Sequence, residues 1–174
     1  LNMVVRAFFS EVGSMLLSIL SEAVCDLENF RNNFVIKSDW SQKDFLIAQK
    51  YAAQGDYCIE IKKIRLDALS ELLSAKRNFL LQLIENPVLL EHESFTDLLL
   101  TVFHLADELS YRIKLSDLPD SDKANLANDA KRAYNLLIGQ WLFYMRYLKD
   151  RYPYLFSLAL RTNFFDRNAS IVIS

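Results

Sequence analysis

The chain has 174 residues, of which 52% are hydrophobic and 13% aromatic, and its 20 basic side chains are nearly balanced by 22 acidic ones. This length fits one domain with a sizeable core, so we take residues 1–174 as a single domain. Because acidic and basic residues are nearly balanced, the chain has no excess of basic side chains to form a nucleic-acid-binding surface. We therefore expect neither DNA nor RNA as a partner. With only three glycines and no P-loop, dinucleotide fingerprint or nucleophile elbow, the sequence predicts no enzyme, no catalytic residue and no cofactor.

Three prolines, Pro87, Pro119 and Pro153, interrupt long segments in which apolar residues recur at helical spacing. Proline has no amide hydrogen and clashes with the preceding turn, so each one marks the end or the start of a helix. The pattern predicts an all-α bundle of four to five helices.

The first helix is predicted from Met3 to about Phe30. Its most apolar run, residues 12–20, is shorter than the roughly 20 residues that a bilayer requires, so we expect no transmembrane segment. Ser10, Ser14 and Ser18 form a strip of small side chains that either allows close approach of another helix or faces water.

A very long second helix is predicted from about 42 to 85, because that stretch contains no proline. Ser41 and Asp44 have the spacing of a capping box at its start. Gly55 is the weak point, and the sequence leaves open whether the helix is continuous or broken there.

Further helices are predicted from about residue 94 to 112, from 120 to 151 and from 154 to 161, followed by a tail at 166–174. Cys25 and Cys58 are far apart in sequence and form no Cys-x-x-Cys pattern, so we expect reduced, packed thiols and a reducing compartment.

The chain contains two histidines, His92 and His104, and both lie among carboxylates. His92-Glu93 does not match the metalloprotease pattern, and no Glu-x-x-His pair of a di-iron bundle occurs. Helical phase places His104 and Glu108 on a stripe opposite the leucines, which is typical of a solvated face. We therefore expect no metal site, with a metalloprotein based on the two histidines as a minor alternative.

Residues 134–165 are rich in aromatic side chains. Tyr134, Ile138, Trp141 and Met145 share one side of the predicted helix, while a second apolar stripe lies opposite. This helix is either the centre of the bundle or an interface with a partner. The candidate interface residues are Leu136, Phe143, Arg146, Tyr147 and Arg151.

Two segments, Glu85-Asn-Pro-Val-Leu-Leu-Glu-His-Glu-Ser-Phe-Thr-Asp97 and Tyr152-Pro-Tyr-Leu-Phe-Ser-Leu-Ala-Leu-Arg-Thr-Asn163, resemble parts of the soluble helical region of prokaryotic potassium-channel-like ion channel proteins. The resemblance covers about residues 60 to 165, and the pore helices and selectivity filter of such channels are absent from this sequence. It implies a cytoplasmic region that acts in assembly or gating. No functional residue can be carried over.

These observations favour a non-enzymatic oligomerisation or regulatory module, with a homo-oligomer or a helical protein as its partner. A free-standing adaptor that offers an apolar groove to a partner helix is the alternative. The first residue is Leu1, so the chain is read either as a fragment of a longer membrane protein or as a chain that starts at Met3. We expect a cytoplasmic location, with membrane contact only through a segment outside this sequence.

Overall fold

The computed structural model describes residues 2–173 and, within them, every side chain except that of Leu90. These residues form helices and connecting turns, with an isolated antiparallel bridge between Val24 and Ile59 and no β-strand in the described range. The predicted all-α bundle is confirmed, but the described residues form eight helices rather than four to five, because the first predicted helix is divided in two and the second in three. Its helices are α1 (Asn2–Ser21), α2 (Leu27–Arg31), α3 (Gln42–Gln54), α4 (Leu66–Ala75), α5 (Arg77–Ile84), α6 (Glu93–Ser110), α7 (Asp120–Arg151) and α8 (Pro153–Arg161), with short 3-10 turns at Ile61–Lys63 and Pro87–Glu91.

Helix α7 is the centre of the bundle and has the predicted bounds. It packs against α1, α3, α6 and α8. Pro119 precedes its first residue, and its first turn carries Asp120 and Asp122, which suit the positive end of the helix dipole. Apart from Leu142, the apolar side chains it buries are those of the predicted inner face: Leu126, Ala130, Ala133, Tyr134, Leu137, Ile138, Trp141, Met145 and Leu148.

The first helix is shorter than predicted, because α1 ends at Ser21 and the chain turns before α2. Asp26 adopts a left-handed conformation with φ of 52°, which cannot be part of a right-handed helix. Ser10 and Ser14 are exposed and Ser18 is half-buried, so the serine strip faces water rather than another helix.

A π-helical turn at Phe9–Gly13 interrupts the regular winding of α1. The ring of Phe9 stacks on Tyr144 of α7 with centroids 5.3 Å apart. A Cβ atom on Gly13 would lie 2.6 Å from the Phe9 ring, so the absence of a side chain there permits the close packing of that ring. The π-helical turn therefore lets the first half of α1 pack closely against the second half of α7.

Helix α1 is also longer than the apolar run that the sequence analysis considered for membrane spanning. Over Asn2–Ser21 the best 18-residue window has a mean hydropathy of 1.6, which is sufficient in length and composition to cross a bilayer. Half of that window is buried inside the fold. Because core helices of soluble proteins have the same composition, this property assigns no membrane role.

The very long helix predicted from 42 to 85 is not continuous: of the two alternatives left open at Gly55, the break is the correct one. Helix α3 ends at Gln54 because Gly55 takes the left-handed conformation, with φ of 66°, as the residue that follows the helix. The chain then extends to the 3-10 turn, and two shorter helices, α4 and α5, meet at Lys76. The capping box of Ser41 and Asp44 is confirmed: the Ser41 hydroxyl accepts from the Asp44 amide, and the Asp44 carboxylate accepts from the Ser41 amide.

The prediction of two separate reduced thiols is wrong. Cys25 and Cys58 are bonded in a disulfide, with their Cα atoms 5.3 Å apart. The amide of Cys25 donates to the carbonyl of Cys58, and the bridge of Val24 and Ile59 follows directly. The extended segment that replaces the predicted long helix brings Cys58 to the turn after α1, and this pairing could not be seen from sequence spacing.

Candidate functional site

A group of four aromatic side chains and a methionine lies where α7 ends and α8 begins; all are exposed except Tyr147, which is half-buried. We call Met3, Phe143, Tyr147, Tyr152 and Tyr154 the aromatic patch. The rings of Tyr147 and Tyr152 have centroids 5.8 Å apart, and those of Tyr152 and Tyr154 are 6.4 Å apart. Phe143 precedes Tyr147 by one turn on the same face of α7. Exposed fractions of 55% for Phe143, 70% for Tyr154 and 75% for Met3 leave much of this apolar surface in contact with water.

A small cavity of about 190 Å³ opens beside the aromatic patch, between the start of α1 and the junction of α7 with α8. Local sequence explains its position: Tyr152 ends α7, and Pro153 at once begins α8, so α8 folds back against α7. The residues that line the cavity are Asn2, Met3, Arg6, Tyr144, Tyr147, Leu148, Tyr152, Tyr154 and Leu155.

The five predicted interface residues are divided by the fold. Phe143, Tyr147 and Arg151 recur at every fourth position and form one stripe of α7, while Arg146 lies half-buried on the adjacent stripe. Leu136 is half-buried and lies seven residues before Phe143, roughly 10 Å along the helix, and is therefore outside the aromatic patch. Helix α7 is the central helix of the bundle, which was one of the two alternatives, and Phe143 on its opposite stripe is exposed. The other alternative, that this stripe meets a partner, remains a prediction.

Arginines surround the aromatic patch without internal ion pairs. Within residues 2–173, the ion pairs involve Arg65, Arg77, Arg112, Arg132 and Arg167 but neither Arg6, Arg146 nor Arg151. The pKa of Tyr144, beside the cavity, is raised because burial disfavours the phenolate, and the nearby Arg6 partly opposes this effect. The patch therefore combines exposed aromatic surface with positive charge that the described part of the chain does not neutralise.

A second cluster joins α6 to α7 at the other half of the bundle. The Nε2 atom of His104 lies 3.7 Å from Oε1 of Glu108 and 3.6 Å from Oδ2 of Asp129. His104 is about half exposed, Glu108 is half-buried and Asp129 is buried. His92 lies 12 residues before His104, roughly 18 Å along the helix axis, and does not join the cluster.

Asp129 was not among the predicted site residues, because α7 brings it to His104 from a distant part of the chain. One signal was available: Asp129 lies between Leu126 and Ala133 on the inner face of α7, where a carboxylate is unexpected. The predicted solvated stripe of α6 is therefore only partly solvated, since one edge of it contacts a buried acid.

Comparison with known proteins identifies the family. The family model described as "Uncharacterized protein MJ1433, C-terminal helical domain" matches residues 1–161. The chain belongs to this family. The match ends at the last residue of α8, so the MJ1433 C-terminal helical domain family spans α1 to α8.

One curated relative is the uncharacterized protein MJ1433 of Methanocaldococcus jannaschii. It is 53% identical over 173 residues, which cover 99% of this chain and 69% of the relative. No solved structure matches the chain at a significant level. The names of the family and of the relative specify no activity. The two candidate sites of this chain are the aromatic patch and the cluster of His104, Glu108 and Asp129.

Proposed function

We propose that this domain is a non-enzymatic assembly module that self-associates through the aromatic patch. The observation that carries the proposal is the exposed group of Phe143, Tyr152 and Tyr154 at the junction of α7 and α8, bordered by arginines without internal ion pairs. The proposal concerns a second copy of this chain as the partner.

The chemistry of the patch favours a protein partner. Tyrosine and arginine are enriched among the residues that dominate binding energy at protein interfaces, since they combine a large apolar area with a polar group. Burying exposed aromatic surface favours association, although only the surplus over the cost of lost translational and rotational freedom appears as affinity. A stable interface buries about 1,200–2,000 Å² in total, so it would extend beyond the aromatic patch to the exposed Leu158 of α8.

The distribution of charge favours a second copy of the chain. Asp150 is exposed and lies one turn beyond Arg146, and Arg151 follows it. A two-fold symmetric interface brings the same surface of both copies together. Asp150 of one copy would then pair with Arg146 or Arg151 of the other at the polar rim, around an aromatic centre.

Three further expectations remain predictions. Neither the family description nor the name of the relative mentions a channel, so the resemblance to channel proteins rests on the two sequence segments alone. The absence of catalysis is proposed together with the assembly role. The cytoplasmic location rests on the channel resemblance alone, because the disulfide of Cys25 and Cys58 removes the argument from reduced thiols. The adaptor that binds a helix of another protein is the competing function.

The test is the mass of the purified chain in solution, measured by light scattering over a concentration series. We expect a dimer or larger oligomer for the natural sequence and a monomer for Phe143→Asp, because a charge at the centre of an apolar interface costs several kcal/mol unless it is paired. Tyr154→Ser is a second variant at a more exposed position. Ile113→Asp is the matched control, since Ile113 is a fully exposed apolar residue in the loop between α6 and α7.

A strictly monomeric natural chain at high concentration would overturn self-association and favour the adaptor. Loss of association in the Ile113→Asp control would point to a different surface. Circular dichroism of each variant establishes that it is folded, so that a loss of mass is assigned to the interface.

A further inference from the structure

We infer that His104, Glu108 and Asp129 form a binding site for a divalent first-row transition-metal ion, for which Zn²⁺ is the natural probe. This departs from the sequence expectation of no metal site. Each of the three residues offers one ligand atom, and these atoms lie within 4.8 Å of one another. The inference is independent of the assembly role, because Asp129 lies 14 residues from Phe143, roughly 21 Å along α7.

The distances suit a small ion. Two donors that each lie about 2.1 Å from a tetrahedrally coordinated ion are about 3.4 Å apart. The separations of 3.6 and 3.7 Å from the His104 nitrogen to the two carboxylates are close to that value. Small side-chain rotations would complete the coordination, and His104 and Glu108, one helical turn apart on α6, need no backbone movement to share a ligand.

The buried Asp129 oxygen is the independent observation. Asp129 is only 5% exposed, and its Oδ2 atom has no hydrogen-bond partner among the described residues. A buried polar atom without a partner destabilises the fold, and more so when it is charged. This orphan oxygen points at the His104 nitrogen, so a cation between them would satisfy it.

Two arginines position the carboxylates so that one oxygen of each remains available. The Arg112 guanidinium donates to Oε2 of Glu108 at 2.9 Å, and Asp122 holds Arg112 in turn through two hydrogen bonds. Arg132 lies 3.5 Å from Oδ1 of Asp129. The remaining oxygens, Oε1 of Glu108 and Oδ2 of Asp129, are those that face His104. Such outer contacts orient the ligands of protein metal sites.

The donor set determines the class of metal. An imidazole nitrogen suits Zn²⁺ and other transition metals, whereas Mg²⁺ and Ca²⁺ prefer oxygen donors alone. Glu108, Asp129 and Asp122 carry three negative charges against two positive charges on Arg112 and Arg132, so the cluster keeps a net negative charge that attracts a cation. Three protein ligands leave the fourth coordination position for a water molecule. Because His104 is about half exposed, the ion can reach the site from solvent. A bound ion would link α6 to α7 and stabilise the bundle.

The alternative is an ion pair in which a protonated His104 is shared by the two carboxylates and no metal binds. The test uses the full chain after treatment with a chelator, followed by titration with Zn²⁺ against a chromophoric chelator and measurement of the thermal midpoint. We expect one Zn²⁺ per chain and a higher midpoint. His104→Ala and Asp129→Asn should each weaken Zn²⁺ binding by about tenfold or more, since even outer-shell changes weaken metal sites by about 10- to 100-fold.

His92→Ala is the matched control, since it removes the other histidine of the chain from a position outside the cluster. It should bind Zn²⁺ as the natural sequence does. Asp129→Asn also distinguishes loss of metal binding from general destabilisation of the fold. It should leave the thermal midpoint of the metal-free protein unchanged or raised, and the increase that Zn²⁺ induces should disappear. No Zn²⁺ binding by the natural chain, or equal binding by the His104→Ala variant, would overturn the inference.

Discussion

The hydroxyl oxygens of Ser21 and Tyr134 lie 2.6 Å apart in a hydrogen bond that joins the end of α1 to the middle of α7. Both residues are fully buried. Each hydroxyl therefore depends on the other for a partner, and the pair fixes the register of the two helices in a core that is otherwise largely apolar.

Removing one hydroxyl of this pair should destabilise the protein more than removing both. Tyr134→Phe leaves the Ser21 hydroxyl buried without its partner, at a cost of about 1–3 kcal/mol in the free energy of unfolding. Adding Ser21→Ala removes that orphan and should recover part of the loss. Urea unfolding of the two single variants and the double variant measures the coupling. Strict additivity of the two substitutions would contradict a direct bond between the hydroxyls.

Alkaline pH should unfold the protein through Tyr134 and Tyr57. Burial is the main cause that raises the pKa of both phenols well above the ordinary value of about 10. A raised folded pKa contributes stability that is fully present below pH 10 and is lost as the pH rises further, because the unfolded chain releases protons that the folded chain retains. Each group contributes about 1.4 kcal/mol per pH unit in that range.

The measurement is the free energy of unfolding in urea at pH 9, 10 and 11. Tyr134→Phe should lower stability at pH 9 but decline less steeply between pH 10 and 11 than the natural sequence. Parallel pH dependences of the two proteins would show that Tyr134 does not resist ionisation in the folded state.

Helix bounds were predicted most accurately where local residues mark both ends of one long helix. Pro119 and the Tyr152-Pro153 pair set the ends of α7, and its inner face repeats over many turns, so its 32 residues were predicted with the correct bounds. Between residues 42 and 85 the apolar spacing continues across Gly55, and the only local sign of a break was the glycine itself. The disulfide and the bridge of Val24 with Ile59 hold the intervening segment extended, and such contacts have no local signature.

The candidate sites were predictable only in part, for the same reason. Phe143 and Tyr147 were identified from their position on α7, but whether they are exposed depends on where α8 lies after its turn at Pro153. The cluster of His104 with Asp129 requires two helices in a particular register. The helical phase of α6 correctly placed His104 and Glu108 on one face. It contains no information about Asp129, which lies on another helix.

Reduction of the disulfide between Cys25 and Cys58 should destabilise the protein. The two residues are 33 positions apart, and a cross-link that closes a loop of this size limits the unfolded chain by roughly 3–4 kcal/mol in the chain-entropy description. Cys58 is exposed and within reach of a reductant. The thermal midpoint should therefore fall in dithiothreitol, whereas Cys25→Ser with Cys58→Ser should have a low midpoint that the reductant does not change.

Thiol titration of the denatured protein is the control for that experiment. It should detect no free thiol before reduction and two afterwards, since no free cysteine occurs among the described residues. Two free thiols in protein purified without reductant would contradict the disulfide.

The same substitution at two glycines should have opposite effects on stability. Gly55 has a φ of 66° at the end of α3, so Gly55→Ala places a side chain in the left-handed region at a cost of roughly 1–2 kcal/mol. Gly139 lies inside α7 with no neighbouring atom within 4 Å of an added Cβ. Gly139→Ala should stabilise the protein by up to about 1 kcal/mol, because alanine restricts the unfolded chain and favours the helix. Urea unfolding of both variants checks the signs, and stabilisation by Gly55→Ala would mean that α3 continues through residue 55 as a regular helix.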